Sequence, residues 1–307
     1  MMKILITGGA GNVGSSLAAY LLNIGKYEVC IFDNLLTGDL SKLPSADLPN
    51  WWFIRGDVNN YQDISAVMLS NRFEYVFHYA AVVGVKRTLD NPKMVLNDID
   101  GIRNILDLSK NTGVKRVFYS SSSEVYGEPV EIPQFEDTTP LNSKLPYAIV
   151  KNLGEAYLKS YNKEFGLEFT IFRFFNTYGP NQSLDFVIAK FLNLAMNNLD
   201  ITIYGDGKQT RTFCYVDDNL EVTKRILEGG YFKNEILNIG NDIEYTVLEL
   251  AQIIINITNS KSKIISLDPL VEGDMTRRKP DISKMRKVLN RELISLEEGI
   301  KKMIKYK

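Results

Sequence analysis

Residues 3–22 constrain this chain more than any other stretch. Lys3-Ile4-Leu5-Ile6-Thr7 is a short apolar run, it stops at Gly8-Gly9-Ala10-Gly11-Asn12-Val13-Gly14, and a helix-patterned segment runs from Ser15 to Leu22. A strand that feeds a helix through glycines at 8, 11 and 14 predicts the first crossover of a parallel sheet. The glycines permit a tight turn, and the new helix points free N–H groups and its positive dipole end at whatever lies above. A pyrophosphate fits such a cradle, with Gly8, Gly11, Asn12, Val13 and Gly14 around it. A second run, Glu28 to Phe32, ends on Asp33, 19 residues after Gly14. A carboxylate there takes the adenosine ribose hydroxyls and repels a 2′-phosphate. No Arg stands between Asn34 and Gly38, so the expected cofactor is NAD rather than NADP.

The rest of the chain continues the alternation. Trp51 to Arg55 reads as a third strand ending at Gly56-Asp57-Val58, where Asp57 is placed to accept from the adenine amino group. After a helix at 62–69, Tyr75 to His78 forms a fourth strand that closes in Tyr79, Ala80 and Ala81; small side chains there let a cofactor lie near the backbone. His78 reads as a packed strand residue. Apolar residues at 95, 99, 102, 105, 106 and 108 predict one amphipathic helix from Met94 to Lys110. Val114 to Tyr119, a helix at 147–165 and a strand at 168–174 complete the series. Parallel crossovers of this kind imply an α/β fold with a doubly wound parallel (Rossmann) sheet over 1–175, to which the chain returns at about 212–240. Residues 176–307 are expected to form a smaller α/β substrate lobe: a helix at 186–196, a hairpin from Ile201 to Arg211 presenting Tyr204 and Arg211, a strand at 234–240, a helix at 246–257 and a basic loop at 272–281. Arg211 and Arg278 would close over a diphosphate, whose oxygens arginine grips bidentately.

Chemistry is carried by a second motif. The fifth strand leads into Ser120-Ser121-Ser122-Ser123-Glu124, and Tyr147 stands four residues before Lys151 on the next helix. Residues so spaced share a helix face, so the ammonium is expected to lower the phenol pKa from its usual value near 10. Ser122, at the carboxyl end of a strand, would meet the same substrate oxygen. Together the three would take a proton from an alcohol, with hydride passing to the cofactor.

Bulk properties narrow the partners. With 36 basic against 37 acidic residues there is no broad cationic surface for nucleic acid or anionic lipid. No apolar run reaches about 18 residues and the first residues do not form a signal segment, so a cytoplasmic location is expected. A single His and two Cys, at 30 and 214, give no metal-ligating cluster and predict buried free thiols.

Taken together, Thr7 to Ser15, Asp33-Asn34, Gly56-Asp57-Val58, Ser121 to Gly127, Tyr147 with Lys151, Asn176-Thr177-Tyr178-Gly179-Pro180 and Tyr204 through Arg211 resemble the extended short-chain dehydrogenase/reductases that act on nucleotide sugars. The likeness covers nearly all 307 residues. It implies that Tyr147 is the general base, that Lys151 holds the nicotinamide ribose, and that Ser122 binds the reacting hydroxyl. It further implies that Asn176 and Arg211 hold the substrate diphosphate, that Tyr204 lies against the base, and that Tyr79 to Ala81 line the cofactor. A homodimer through the helices at 94–110 and 147–165 is implied as well, as is a role in surface-polysaccharide sugar biosynthesis.

Members of this family open by oxidising the sugar, commonly at its 4-hydroxyl, and diverge afterwards. Dehydratases resemble Thr-Asp-Glu after the serine; this chain has Ser123 and Glu124. Ser-Glu together with Arg278-Lys279-Pro280 resembles UDP-glucuronate decarboxylases, whereas Lys144-Leu145-Pro146-Tyr147 resembles 4-epimerases. A 4-epimerase or 4-dehydrogenase acting on a hexose or heptose, an oxidative decarboxylase, and a non-catalytic NAD sensor all remain open, the intact Ser122, Tyr147 and Lys151 weighing against the last. One departure stands out: the family's Asn-Val-x-Gly is Asp98-Ile99-Asp100-Gly101 here, a carboxylate where an amide is expected.

Overall fold

The computed structural model describes residues 1–268 and 277–306. Its strands are β1 (Met2–Thr7), β2 (Tyr27–Asp33), β3 (Trp51–Arg55), β4 (Tyr75–His78), β5 (Arg116–Ser122), β6 (Glu168–Phe174), β7 (Thr177–Tyr178), β8 (Ile201–Tyr204), β9 (Thr210–Thr212), β10 (Cys214–Tyr215), β11 (Glu235–Ile239), β12 (Glu244–Thr246) and β13 (Ile264–Leu267). The helices are α1 (Asn12–Ile24), α2 (Tyr61–Ser70), α3 (Val85–Asp90), α4 (Pro92–Leu96), α5 (Asp98–Thr112), α6 (Pro146–Phe165), α7 (Val187–Met196), α8 (Val216–Gly229), α9 (Val247–Thr258), α10 (Ser283–Leu289) and α11 (Leu296–Tyr306).

The main sheet has the order β11-β6-β5-β4-β1-β2-β3, and every neighbouring pair is parallel. From β1 the chain steps outward through β2 and β3, then crosses back to β4 and steps the other way. The order reverses between β1 and β4, the crevice where open α/β sheets take their ligands.

Strand periodicity explains why helices cover both faces. In β1, Ile4 and Ile6 enter one apolar cluster with α1, α8 and α9 residues such as Leu17, Val222 and Leu250, while Leu5 enters another with Ile64, Ile105 and Leu158 from α2, α5 and α6. A strand buried on both sides must be apolar at successive positions, which is why β1 and β2 read as unbroken hydrophobic runs.

Two expectations are corrected. The segment 94–110 is not one helix: α4 ends at Leu96 and α5 begins at Asp98, with Asn97 between them. Asn and Asp compete for backbone donors, and here Asp98 accepts from the Val82 N–H rather than pointing to solvent. Residues 201–211 do not form a hairpin. β8 pairs in parallel with β13, and β9 pairs antiparallel with β12, so distant partners replaced the local pairing. Residues 272–276 of the expected basic loop at 272–281 lie outside the described residues.

Candidate active site

The glycine turn is packed too closely for side chains. Gly8 has φ of +68°, and a Cβ there would meet the Ala80 amide nitrogen at 2.6 Å. Gly14 abuts the Gly8 carbonyl just as closely. Gly11 caps α1 without any side-chain bond, so the N–H groups of the first turn have no internal partner. The Asn12 Oδ1 atom beside them is buried with no protein partner. A cradle of bare backbone with an orphaned polar atom fits a dinucleotide diphosphate.

The residues expected to meet the adenosine lie where β2 and β3 stop. Asp33 is buried, and its carboxylate accepts from the Ala10 N–H at 3.0 Å and the Leu35 N–H at 2.8 Å, tying the glycine turn to the end of β2. Asn34 donates to Asp57 at 3.2 Å, so these two residues meet across β2 and β3. Val58 is buried beneath them, and its carbonyl accepts from Asn104 of α5. After β4, the Ala80 N–H donates to Thr7 Oγ1 at 3.3 Å, and Ala80 and Ala81 are half-buried beside the turn. Tyr79 instead turns its ring edge-on to Phe77 and Phe174, 5.8 and 5.7 Å between centroids. His78 is a packed residue: its Nδ1 lies 2.8 Å from Thr7 Oγ1, and burial drives its pKa down to about 3.

β5 and α6 bring together the groups expected to transfer the proton. Ser122 ends β5, its Oγ accepts from the Glu124 N–H at 3.2 Å, and its side chain stands near enough to the Tyr147 phenol to favour the phenolate. Tyr147 and Lys151 share a face of α6, with the Lys151 Nζ 5.8 Å from the Tyr147 ring centroid. The ammonium does not reach the phenol oxygen; it donates to the Ser120 carbonyl at 2.6 Å and to Ser120 Oγ at 3.3 Å. The lowered phenol pKa expected from the sequence is therefore not found. Burial, joined by the Glu124 charge, holds Tyr147 above its ordinary value, while burial pulls Lys151 down to about 8. Desolvation outweighs a lysine held one ring-width away.

The substrate side is built by the later segments. Arg278 forms a 2.7 Å ion pair with Glu124 and reaches Ser123 Oγ at 3.5 Å, so the Ser-Glu pair after Ser122 and the distant arginine meet as one cluster. Asn176, at φ of +40°, donates to the Thr212 carbonyl of β9 and so sits against the strand that carries Arg211. Tyr204, at the end of β8, is 40% exposed, with Lys190 over its ring at 6.0 Å.

Two contributors were not singled out from the sequence. Ser120 holds the lysine, a role that the run of serines concealed. Glu155 of α6 accepts from Ser121 at 2.6 Å and pairs with Arg173 of β6 at 2.7 Å, with both charges about 2% exposed or less. Its position one turn beyond Lys151, on the same helix face, was the available signal.

Known proteins place this site in context. The model of the NAD dependent epimerase/dehydratase family matches residues 4–240. A putative UDP-glucose 4-epimerase of Methanocaldococcus jannaschii is 36% identical over 310 residues, covering 99% of this chain and 97% of the relative. UDP-glucuronic acid decarboxylase 1 of Arabidopsis thaliana is also 36% identical, covering 99% of this chain and 69% of the relative. Among solved structures, the UDP-glucose 4-epimerase of Thermotoga maritima with UDP-glucose superposes with a TM-score of 0.92 at 32% identity, covering 99% and 98% of the two chains. The Thermus thermophilus UDP-glucose 4-epimerase in complex with NAD gives 0.90 at 27% identity, covering 99% and 98%.

Proposed function

This chain belongs to the NAD dependent epimerase/dehydratase family, and on that premise we propose that it oxidises the 4-hydroxyl of a nucleoside-diphosphate sugar. The observation that carries the reading is the meeting of Ser122, Tyr147 and Lys151 at the carboxyl end of β5, beside the turn that fits the dinucleotide. When bound, NAD supplies the hydride acceptor and a positively charged ring. Ser122 holds the reacting hydroxyl by hydrogen bonding, and Tyr147 takes its proton. Tyr147 accepts that proton as the phenolate and is left neutral; because burial favours the neutral phenol, the Lys151 ammonium and the positive ring of bound NAD would supply the charge that holds the phenolate.

Return of the hydride to the other face of the 4-keto sugar gives a 4-epimerase, and release of the keto sugar gives a 4-dehydrogenase. The 4-epimerase is favoured by the approach Lys144-Leu145-Pro146-Tyr147, which resembles that of the epimerases. A second reading has its own observation. Arg278, paired with Glu124 beside Ser123, is a cation at the reacting end of the site, where a sugar carboxylate would bind, and this supports oxidative decarboxylation of a UDP-glucuronate-type substrate. A sensor that merely bound NAD would have no use for the three proton-transfer groups. We further propose that two copies pair through the exposed faces of α5 and α6.

Incubating NAD-loaded protein with UDP-, GDP- and TDP-sugars and resolving products by mass spectrometry and proton NMR tests the reading. A 4-epimer or 4-keto sugar supports it. Carbon dioxide from UDP-glucuronate supports the second reading instead, and an unchanged panel with NAD demonstrably bound contradicts both.

A further inference from the structure

Asp98 opens α5, and its carboxylate is turned inward. One oxygen accepts from the Val82 N–H at 2.8 Å and the other from Asn59 Nδ2 at 3.5 Å. Asn59 in turn donates its N–H to Asp57 and accepts from the Gly101 N–H, and Asp57 accepts from Asn34. A single chain of bonds therefore runs from the end of β2, through the loop after β3, to the loop after β4. These are the loops that flank the cofactor crevice.

The same carboxylate is the acidic group that Lys151 senses. Around Lys151, His78 on β4 is uncharged, Tyr119 on β5 and Tyr147 on α6 are protonated phenols, and Ser120 supplies only a carbonyl and a hydroxyl, while the Glu155 carboxylate one turn further along α6 is taken up by Arg173 and Ser121. On α4, which also packs against α6, the one ionisable side chain is Lys93, and it is exposed. Burial and the nearby Asp57 raise the Asp98 carboxyl above its ordinary range, while the Val82 N–H, Lys151, Asn59 and the dipole at the N-terminus of α5 favour its ionised form; the two phenols lie in its field.

We propose that Asp98 is a positioning residue for proton transfer: it braces the loop after β4 against the loop after β3 and sets a negative charge behind Lys151 that keeps the ammonium charged. An asparagine at this position would still accept from Val82 but would remove the charge. The bracing and the electrostatic role are thereby separable. The inference rests on the assignment of proton transfer to Tyr147 and Lys151, and its test includes a measurement that needs no turnover.

The test uses full-length protein carrying lysine labelled with carbon-13 at Cε, with the Lys151 resonance assigned through Lys151→Arg. In Asp98→Asn, titration by NMR is expected to move the Lys151 midpoint down by roughly one pH unit, since loss of a nearby anion disfavours the ammonium. NAD affinity by calorimetry should stay within about threefold of wild type, because one hydrogen-bond acceptor is kept. Asp98→Ala is expected to show the same midpoint shift and to weaken NAD binding by about tenfold or more, the Val82 donor being left unpaired. The wild-type midpoint in both variants would overturn the electrostatic role. Unchanged NAD affinity in Asp98→Ala would overturn the bracing role. If the NMR shift is seen but no nucleotide sugar is turned over by wild type, the assigned reaction fails and the Asp98–Lys151 coupling stands.

Discussion

At Tyr147 two effects oppose each other. Lys151 shares its helix face, and this spacing alone predicts an acidified phenol, yet desolvation and the Glu124 carboxylate hold the phenol in its neutral form. The lysine is spent on the Ser120 carbonyl, 2.6 Å away, and burial brings its own pKa to about 8. The consequence is a pH dependence with a definite sign. Lys151 is cationic below about pH 8 and neutral above it. Since kcat/KM reports groups of the free enzyme, it is expected to fall as pH rises through that value. An alkaline limb that appears only above pH 10, the range of an ordinary lysine, would show that Lys151 is not the group lost. Individual identities of this sort were legible in sequence, because Tyr and Lys four apart on a helix must share a face. The sign of the phenol shift was not legible, since burial depends on how α6 packs against β5.

At the level of elements, α6 is held to the sheet by charge as well as by apolar packing. Glu155 joins Ser121 of β5 to Arg173 of β6, and both ions are almost fully buried. Removing one member of such a pair strands the other, which costs about 3–5 kcal/mol. Glu155→Ala should therefore lower the thermal midpoint by several degrees in calorimetry and displace the helix that carries Tyr147; a midpoint within one degree of wild type would contradict this role. The outer face of α6 tells a different story. Ile149, Leu153 and Phe165 are 42%, 37% and 53% exposed, more apolar surface than one helix usually offers to water. Leu153→Asp is expected to turn a dimer into a monomer in light scattering after gel filtration. A wild-type protein that is already monomeric at micromolar concentration would remove the pairing proposal.

For the whole molecule, the doubly wound sheet was readable because each of its buried strands is apolar at successive positions and each is followed by a helical period. What local pattern could not supply was long-range partnership. β8 and β9 look like a hairpin because glycines separate them, but their partners, β13 and β12, lie tens of residues further along. Likewise nothing local brings Arg278 to Glu124, which are joined only when the segment at 279–281 pairs with the backbone of Gln134. The split of α4 from α5 at Asn97 belongs to the same class, being decided by the reach of Asp98 to Val82. The proposed reaction is loss of a proton from a sugar hydroxyl to Tyr147 as its carbon-bound hydrogen leaves for NAD. The most direct test is single turnover of NAD-loaded protein with an accepted nucleotide sugar deuterated at C4, followed by the near-ultraviolet absorbance of reduced nicotinamide. The account predicts a transient that is slowed by the deuterium and suppressed by about 10²–10⁴-fold in Tyr147→Phe. A transient of equal size and rate in Tyr147→Phe, or deuterium that never reaches the reduced cofactor, would contradict it.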